Sequence, residues 1–434
     1  MGPPAFKAGG TGDPRPAGSI PVRLRRKAGQ VATGKSWVGL AYLYASEKEV
    51  AVSRLEPAEG APLELGGAPE TAAAGREGAA CLVPTASGHG YRLVGEVAVG
   101  YDPEGVAVDV ATDLAYVSCS RSNAVTIVDL ATLSVVGSIQ VGREPIDICI
   151  DQRRRRAFTA DARSDQVSVI DLDARQVVAT IEVGSFPAGL AVDEGRRRLY
   201  CGDTMGCTMT IIDLDSLEVL AQAEAELGAG AITVDLVRGR VYCVNFVASS
   251  MNAFESDGTP LGRVKLGEGT CAVAVSTGTN RVYAVNSLAS TISEIDGESL
   301  EVLADYRVPN APVGLFMGFG EDRLYVANRG DGTASILGLD GREWARVPVG
   351  SAPGGITFHP GRPEIVLVTN AGTGSLTIFE DLLSEAPPAR PVEPVHPLVG
   401  QKLPAVTLPD LDGKYHELSE WEGKPYIVNV FASW

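Results

Sequence analysis

The pentapeptide "VYCVN", residues 241–245, decides the fold, because close variants of it recur at a fixed step. "AYVSC" begins at Ala115, "AFTAD" at Ala157, "LYCGD" at Leu199, "VYAVN" at Val282 and "LYVAN" at Leu324. Their aromatic residues Tyr116, Phe158, Tyr200, Tyr242, Tyr283 and Tyr325 lie 42, 42, 42, 41 and 42 residues apart. "VLVTN", Val366–Asn370, continues the series without its ring. Three residues after each aromatic stands Cys119, Asp161, Asp203, Asn245, Asn286 or Asn328, and Asn370 takes that place in the seventh copy. Such regularity reads the aromatics as core. It reads the Asp and Asn residues as turn formers that bond the following backbone and tolerate left-handed geometry.

Each copy carries four strand signals. In the second, "PIDICID" (Pro145–Asp151) is followed by a charged turn, "AFTAD", a polar turn, the alternating "QVSVIDL" (Gln166–Leu172) and then "QVVATIEVG" (Gln176–Gly184). Short strands punctuated every eight to twelve residues, roughly, indicate all-β structure, and a four-stranded unit repeated at this step is the signature of a β-propeller blade. Inner-strand signals begin near Gly105, Ile146, Gly189, Ala231, Ala272, Val313 and Gly355, which makes seven copies. The last copy ends on its third strand, "SLTIFEDL" (Ser375–Leu382), while an outer-strand signal at residues 91–99 has no copy of its own. The sequence therefore predicts an all-β, seven-bladed β-propeller over residues 91–383, its N-terminal strand completing the last blade so that no edge of the ring stays open.

These repeats resemble the YVTN family of β-propellers, through "VYAVN", "LYVAN" and "LVTN", the following "VTIVDL", "VSVIDL" and "MTIIDL", and the linking "VGREP", "VGSFP" and "VGSAP". The resemblance implies a ring used for binding, often extracytoplasmic in prokaryotes. It is specific for fold and says little about activity.

In a propeller the links between blades share one face with the turns between second and third strands, around the mouth of the central channel. The links offer Tyr101, Glu104, Arg143, Glu144, Phe186, Glu268 and Asn310, and the turns offer Arg121, Arg163, Met205, Phe246 and Arg329. The candidate ligand-binding set drawn from these is Tyr101, Arg121, Arg143, Glu144, Arg163, Phe186, Phe246, Glu268 and Arg329. Arginines, carboxylates and aromatics in one mouth suit a protein or peptide partner, or a small anionic ligand; the bland alternative is a set of solvated loop residues.

Composition narrows the chemistry. The formal net charge is -17, and residues 1–92 hold 11 Lys+Arg against 8 Asp+Glu, so the acid lies in the body of the chain. An acidic body repels phosphate backbones, which argues against nucleic acid. No apolar run is long enough for a membrane-spanning helix. "RLRRK" (Arg23–Lys27) before "WVGLAYLYAS" (Trp37–Ser46) makes a poor signal peptide, with too short an apolar run set too deep in the chain. That absence favours the cytoplasm and the family resemblances favour the outside, so the compartment stays open. Of seven cysteines, Cys119, Cys149, Cys201, Cys243 and Cys271 lie in apolar strand signals and read as small buried hydrophobes; Cys201 and Cys207 are close enough in sequence to close a loop. Of four histidines only His359 lies in the repeats, in a turn on the opposite face where solvation is the usual fate. No His pair is available for a metal or haem and no cofactor motif occurs, which weighs against a propeller enzyme such as a lactonase.

The flanks differ from the ring. Residues 1–90 are rich in Ala, Gly, Pro and Glu and lack apolar periodicity, as expected of a low-complexity, mostly disordered segment. Residues 384–397, "SEAPPARPVEPVHP", read as a Pro-rich linker. Residues 398–434 resemble the opening of thioredoxin-like redoxins of the thiol-disulfide oxidoreductase and peroxiredoxin group. Gly400, Pro404, Leu408, "DLDGK" (Asp410–Lys414), Leu418, Ser419, Gly423, Lys424, Pro425 and "VNVFASW" carry the resemblance. "AVTL" and "KYHEL" flank an Asp-Gly turn and predict a hairpin. The resemblance implies an α/β domain whose Cys-x-x-Cys follows "ASW", so its redox cysteines are expected after Trp434. The whole reads as a binding ring joined to a thioredoxin-like thiol-disulfide oxidoreductase, the alternatives being a ring for recognition alone or a propeller enzyme.

Overall fold

The computed structural model describes residues 90–382 and three short strands, Leu82–Pro84 (β1), Thr407–Pro409 (β30) and Tyr415–Glu417 (β31). β30 and β31 pair antiparallel, Leu408 opposite His416. The rest of the redoxin-like segment, the Pro-rich linker and the low-complexity segment lie outside the described residues.

The ring is a seven-bladed β-propeller. Six blades are consecutive four-stranded sheets. They run from β3 (Pro103–Asp109) to β6 (Ser134–Gln140), β7 (Pro145–Asp151) to β10 (Gln176–Glu182), and β11 (Pro187–Asp193) to β14 (Val219–Glu224). The next three run from β15 (Ala229–Asp235) to β18 (Pro260–Lys265), β19 (Thr270–Ser276) to β22 (Val302–Arg307), and β23 (Pro312–Met317) to β26 (Glu343–Pro348). Blade 7 contributes only β27 (Pro353–His359), β28 (Arg362–Asn370) and β29 (Ser375–Asp381). Its outer strand is β2 (Gly90–Ala98), with Leu93 opposite Phe379 and Gly95 opposite Ile378. β1, within the stretch that composition marks as low-complexity, adds a fifth strand beyond β2.

The aromatic series shows why the blades need one another. All six rings are buried, each on a second strand between two sheets. Tyr200, Tyr242 and Tyr325 also reach the next blade with their hydroxyls, which donate to Ser256 O (3.0 Å), Gly297 O (3.1 Å) and Asp381 Oδ2 (2.6 Å). Burying one such ring is worth roughly 1.5–3 kcal/mol, so a ring of blades left open would forfeit an entire interface.

The Asn and Asp series does something other than what its turn-forming habit predicts. These residues are buried and extended, and their side chains reach back to the third strand rather than to the turn. Asn286 donates to Thr291 Oγ1 (3.0 Å) and Ser293 Oγ (2.8 Å), and Asn328 and Asn370 repeat the pattern five and seven residues on. Asp203 accepts instead, from Thr208 and Thr210. Even Cys119 keeps the register, 3.6 Å from Thr126 Oγ1. A strand end buried between neighbouring blades has no water to satisfy those hydroxyls, so the amide or carboxyl serves them.

A second periodic series emerges at the ends of the inner strands. Asp109, Asp151, Asp193 and Asp235 are buried and accept backbone N–H groups of the turn that follows them. Ser276 and His359 stand at the same place in blades 5 and 7. His359 is thus not a solvated turn histidine: it is 3% exposed. Its Nδ1 accepts from Gly361 and Arg362 N–H (3.0 and 3.1 Å), which leaves Nε2 to donate to Asp113 in blade 1 (2.9 Å). The imidazole does the work of the aspartates and helps clasp the seventh blade to the first.

Two outcomes follow from this architecture. A chain beginning at residue 90 is expected to unfold in one cooperative transition, whereas one beginning at residue 100, without β2, loses that transition or aggregates on purification. Asn286→Ala leaves buried hydroxyls without partners and is expected to cost about 2–3 kcal/mol in urea unfolding, against no more than about 0.5 kcal/mol for an exposed substitution such as Glu182→Ala.

Candidate functional site

The mouth is built by a seven-fold repeated backbone device. The residue before each inner strand has positive φ: Asp102, Glu144, Phe186, Gly228, Gly269, Ala311 and Ala352. In each blade its carbonyl accepts the N–H of the residue that follows the second strand, at 2.9–3.0 Å: Ser120, Ala162, Thr204, Phe246, Ser287, Arg329 and Ala371. Proline follows in five copies, and its fixed φ starts the strand while its missing N–H asks for no partner. Just beyond, each inner strand bulges against its neighbour. A bulge re-aims side chains, and here it turns Glu104, Ile146, Ala188, Gly230, Cys271, Val313 and Gly354 toward the axis.

Those residues line a channel cavity of about 260 Å³, together with Phe246, Val244, Ala272 and Ile356. The wall is apolar and narrow because small residues let adjacent inner strands approach: a Cβ on Gly355 would lie 2.3 Å from Glu104 O. Beside the mouth lies a hollow of about 370 Å³ lined by Tyr101, Asp102, Arg121, Arg329, Ala352, Ala371 and Gly372.

Glu104 lines the channel beside Arg329, which lines the hollow, and is the one carboxylate among the seven bulge residues. It is 8% exposed, and its Oε1 has no hydrogen-bond partner. Arg329 Nη1 lies 3.9 Å from Oε2, an ion pair without a direct hydrogen bond, and that Nη1 is likewise unsatisfied. Burial pushes the Glu104 carboxyl up to about 7, against the pull of Arg329 and with help from Asp102 and Glu144. Asp147, on the next inner strand, is pushed up to about 6 by burial, but both its oxygens are satisfied, by Ile148 N–H (2.8 Å) and by Leu190 N–H (2.9 Å) in blade 3. It is a clasp between blades, whereas Glu104 is left unfinished.

The structure gathers some of the sequence-nominated residues and disperses others. Tyr101 (76% exposed), Arg121 and Arg329 share the hollow. Arg121 Nε lies 3.3 Å from Asp102. Glu144 pairs with Arg163, and Arg143 Nη2 donates to Arg163 O at 2.7 Å, forming a second cluster at the entrance to blade 2. Phe246 belongs to the channel wall. Phe186 and Glu268 line neither space: Phe186 holds the positive-φ link into blade 3, its N–H donating to Asp165 Oδ1 at 2.8 Å. Glu268 is exposed, its carbonyl accepting from Leu288 and Ala289 at 3.2 Å. Asp102 was not nominated; its signal was its place before Pro103, in step with Glu144 and Phe186 before Pro145 and Pro187.

The six described cysteines are free thiols, and burial raises Cys149 and Cys201 well above the usual thiol range. Among the described residues no three His, Cys, Asp or Glu side chains converge so as to hold a metal ion, and no helix is long and apolar enough to cross a membrane.

No family model matches the chain. No curated protein matches it. Among solved structures it is similar to a chain of Kuenenia stuttgartiensis hydrazine synthase, with a TM-score of 0.59 and 17% identity, over 64% of this chain and 95% of that one. At that identity the likeness carries the fold alone. Fold and topology thus define a seven-bladed β-propeller protein with an incompletely satisfied ionic mouth.

The raised carboxyls fix a pH dependence. Between pH 4.5 and about 7 folded Glu104 keeps a proton that the unfolded chain has released, so stability falls as pH rises through that window and levels off above it. The Glu104 share is roughly 3 kcal/mol. Chemical denaturation between pH 5 and 8 is expected to show this decline, and Glu104→Gln to flatten it whatever its effect at any single pH; an unchanged slope would contradict the assignment.

Proposed function

We propose that the ring is a recognition module whose ligand, a protein, a peptide or a small molecule, seats on the face carrying the channel mouth. We propose further that it works with a thioredoxin-like thiol-disulfide oxidoreductase unit, through the Pro-rich segment 384–397 and the redoxin-like residues 398–434. The observation that supports the first part is Glu104: a buried carboxylate with an orphaned oxygen in the wall of an apolar channel, beside an arginine with an orphaned nitrogen that lines a neighbouring hollow. Buried polar groups are nearly always satisfied, and an exception at the mouth of a cavity suits a site that a partner completes. The YVTN-like repeats agree with a binding role. The oxidoreductase part rests on the resemblance of residues 398–434.

Thermal unfolding can test the recognition reading with a defined panel: amino acids, capped dipeptides, linear dicarboxylates and linear diamines. At least one class is expected to raise the Tm by 2 °C or more, on the order expected for a ligand well above its Kd. Ala371→Trp, which fills the hollow, should abolish that rise. No active class, or a rise indifferent to Ala371→Trp, would contradict the reading.

A further inference from the structure

The arginines of the mouth are largely engaged. Arg121 lies against Asp102, Arg163 against Glu144, and Arg143 donates to Arg163 O. What is left over is acceptor capacity. Glu104 Oε1 and Glu144 Oε1 are shielded from water and have no hydrogen-bond partner, and Asp102 Oδ2 has only the Arg121 ion pair at 3.3 Å, against one unsatisfied donor, Arg329 Nη1. The three carboxylates act on one another electrostatically, Asp102 and Glu144 both opposing ionisation of Glu104. An anion entering here would meet three carboxylates beside arginines that are already paired to them, and the chain as a whole carries a formal charge of -17. What the mouth lacks is a compact cation rich in N–H donors.

The channel states the rest of the requirement. Below Glu104 its wall is aliphatic, from Ile146, Ala188, Ala272, Val313 and Ile356. At about 260 Å³ it lies below the range of roughly 300–1,000 Å³ typical of drug-sized ligand pockets. That space has room for a short apolar body such as a methylene chain. An ammonium brings three donors on one point charge, and a buried carboxylate gains most from such a charge-assisted partner.

Resting on the reading that this mouth is a binding site, we propose that it takes a primary alkylammonium, its nitrogen held by Glu104 with Asp102 and Glu144 beside it and its methylene stem in the apolar channel. The same chemistry is offered by a free linear amine and by a lysine side chain on a peptide.

Calorimetric titration of the full chain with 1,5-diaminopentane and with Nα-acetyl-lysine N-methylamide separates those two sources. Binding of the diamine alone indicates a free amine; binding of both indicates a site open to peptide-borne lysine. Glu104→Gln is expected to weaken either by at least tenfold. Asp102→Asn, nearer the surface, should weaken it less and covers the case in which Glu104→Gln does not fold. 1-Pentanol, with the stem but no charge, should not bind. The proposal is overturned if pentanol binds as well as the amine, if calcium chloride alone gives the Glu104-dependent signal, or if glutarate binds and the amines do not. In the last case the recognition reading survives; if the whole thermal panel is silent, both fall.

Discussion

Seven sheets cover one another's faces only if the seventh also meets the first, and the ladder between β2 and β29 makes that meeting possible. A lone 42-residue blade would leave its aromatic second strand wet on both sides. Each blade is therefore stable because of its neighbours, as in other repeat architectures, but a closed ring has no capping unit to fall back on. The chain solves the problem by giving blade 7 three strands from its end and one from its beginning. His359 and Asp113 then hold the completed seventh blade to the first.

Closure also fixes the mouth. The positive-φ residue before each inner strand is held by a carbonyl bond of 2.9–3.0 Å in every blade, and the bulge that follows sends one side chain per blade toward the axis. Six of those seven are small or apolar, so the channel stays narrow, and the seventh, Glu104, carries the full electrostatic consequence. Its carboxyl is pushed up because the wall that positions it also desolvates it. Arg329 approaches from blade 6 but stops short of a direct hydrogen bond. The result is an incompletely satisfied polar cluster held in place by hydrogen-bonded backbone.

Much of this was legible in the residues. The step of 42 gave the blade count, because an interface that repeats must repeat its largest side chain, and closure showed in a last copy without a fourth strand beside an outer-strand signal at residues 91–99 without a copy of its own. The Asn and Asp series was equally visible, but its role was misjudged. Local turn chemistry points those side chains forward, whereas burial between blades turns them toward the third-strand hydroxyls. His359 was misread for a related reason: its equivalence to Asp109, Asp151, Asp193 and Asp235 shows only when the inner-strand ends are aligned. Charge pairing among the candidate mouth residues and their neighbours, Arg163 with Glu144 and Arg121 with Asp102, depends on side-chain reach that spacing does not encode. Glu104 carried its signal in the same step, as the single carboxylate in a column of Ile, Ala, Gly, Cys and Val.

The claim on which all of this depends is that β2 lies against β29 in the stated register. Arg92 and Glu380 face each other across that ladder and form an ion pair, and paired positions on adjacent strands lie within disulfide reach. Mass spectrometry of the Arg92→Cys, Glu380→Cys double variant after mild oxidation is the most direct measurement. An intramolecular disulfide between positions 92 and 380, formed in the folded protein in high yield, is the predicted result; a chain that stays reduced there, or links only to other molecules, would contradict the closed ring.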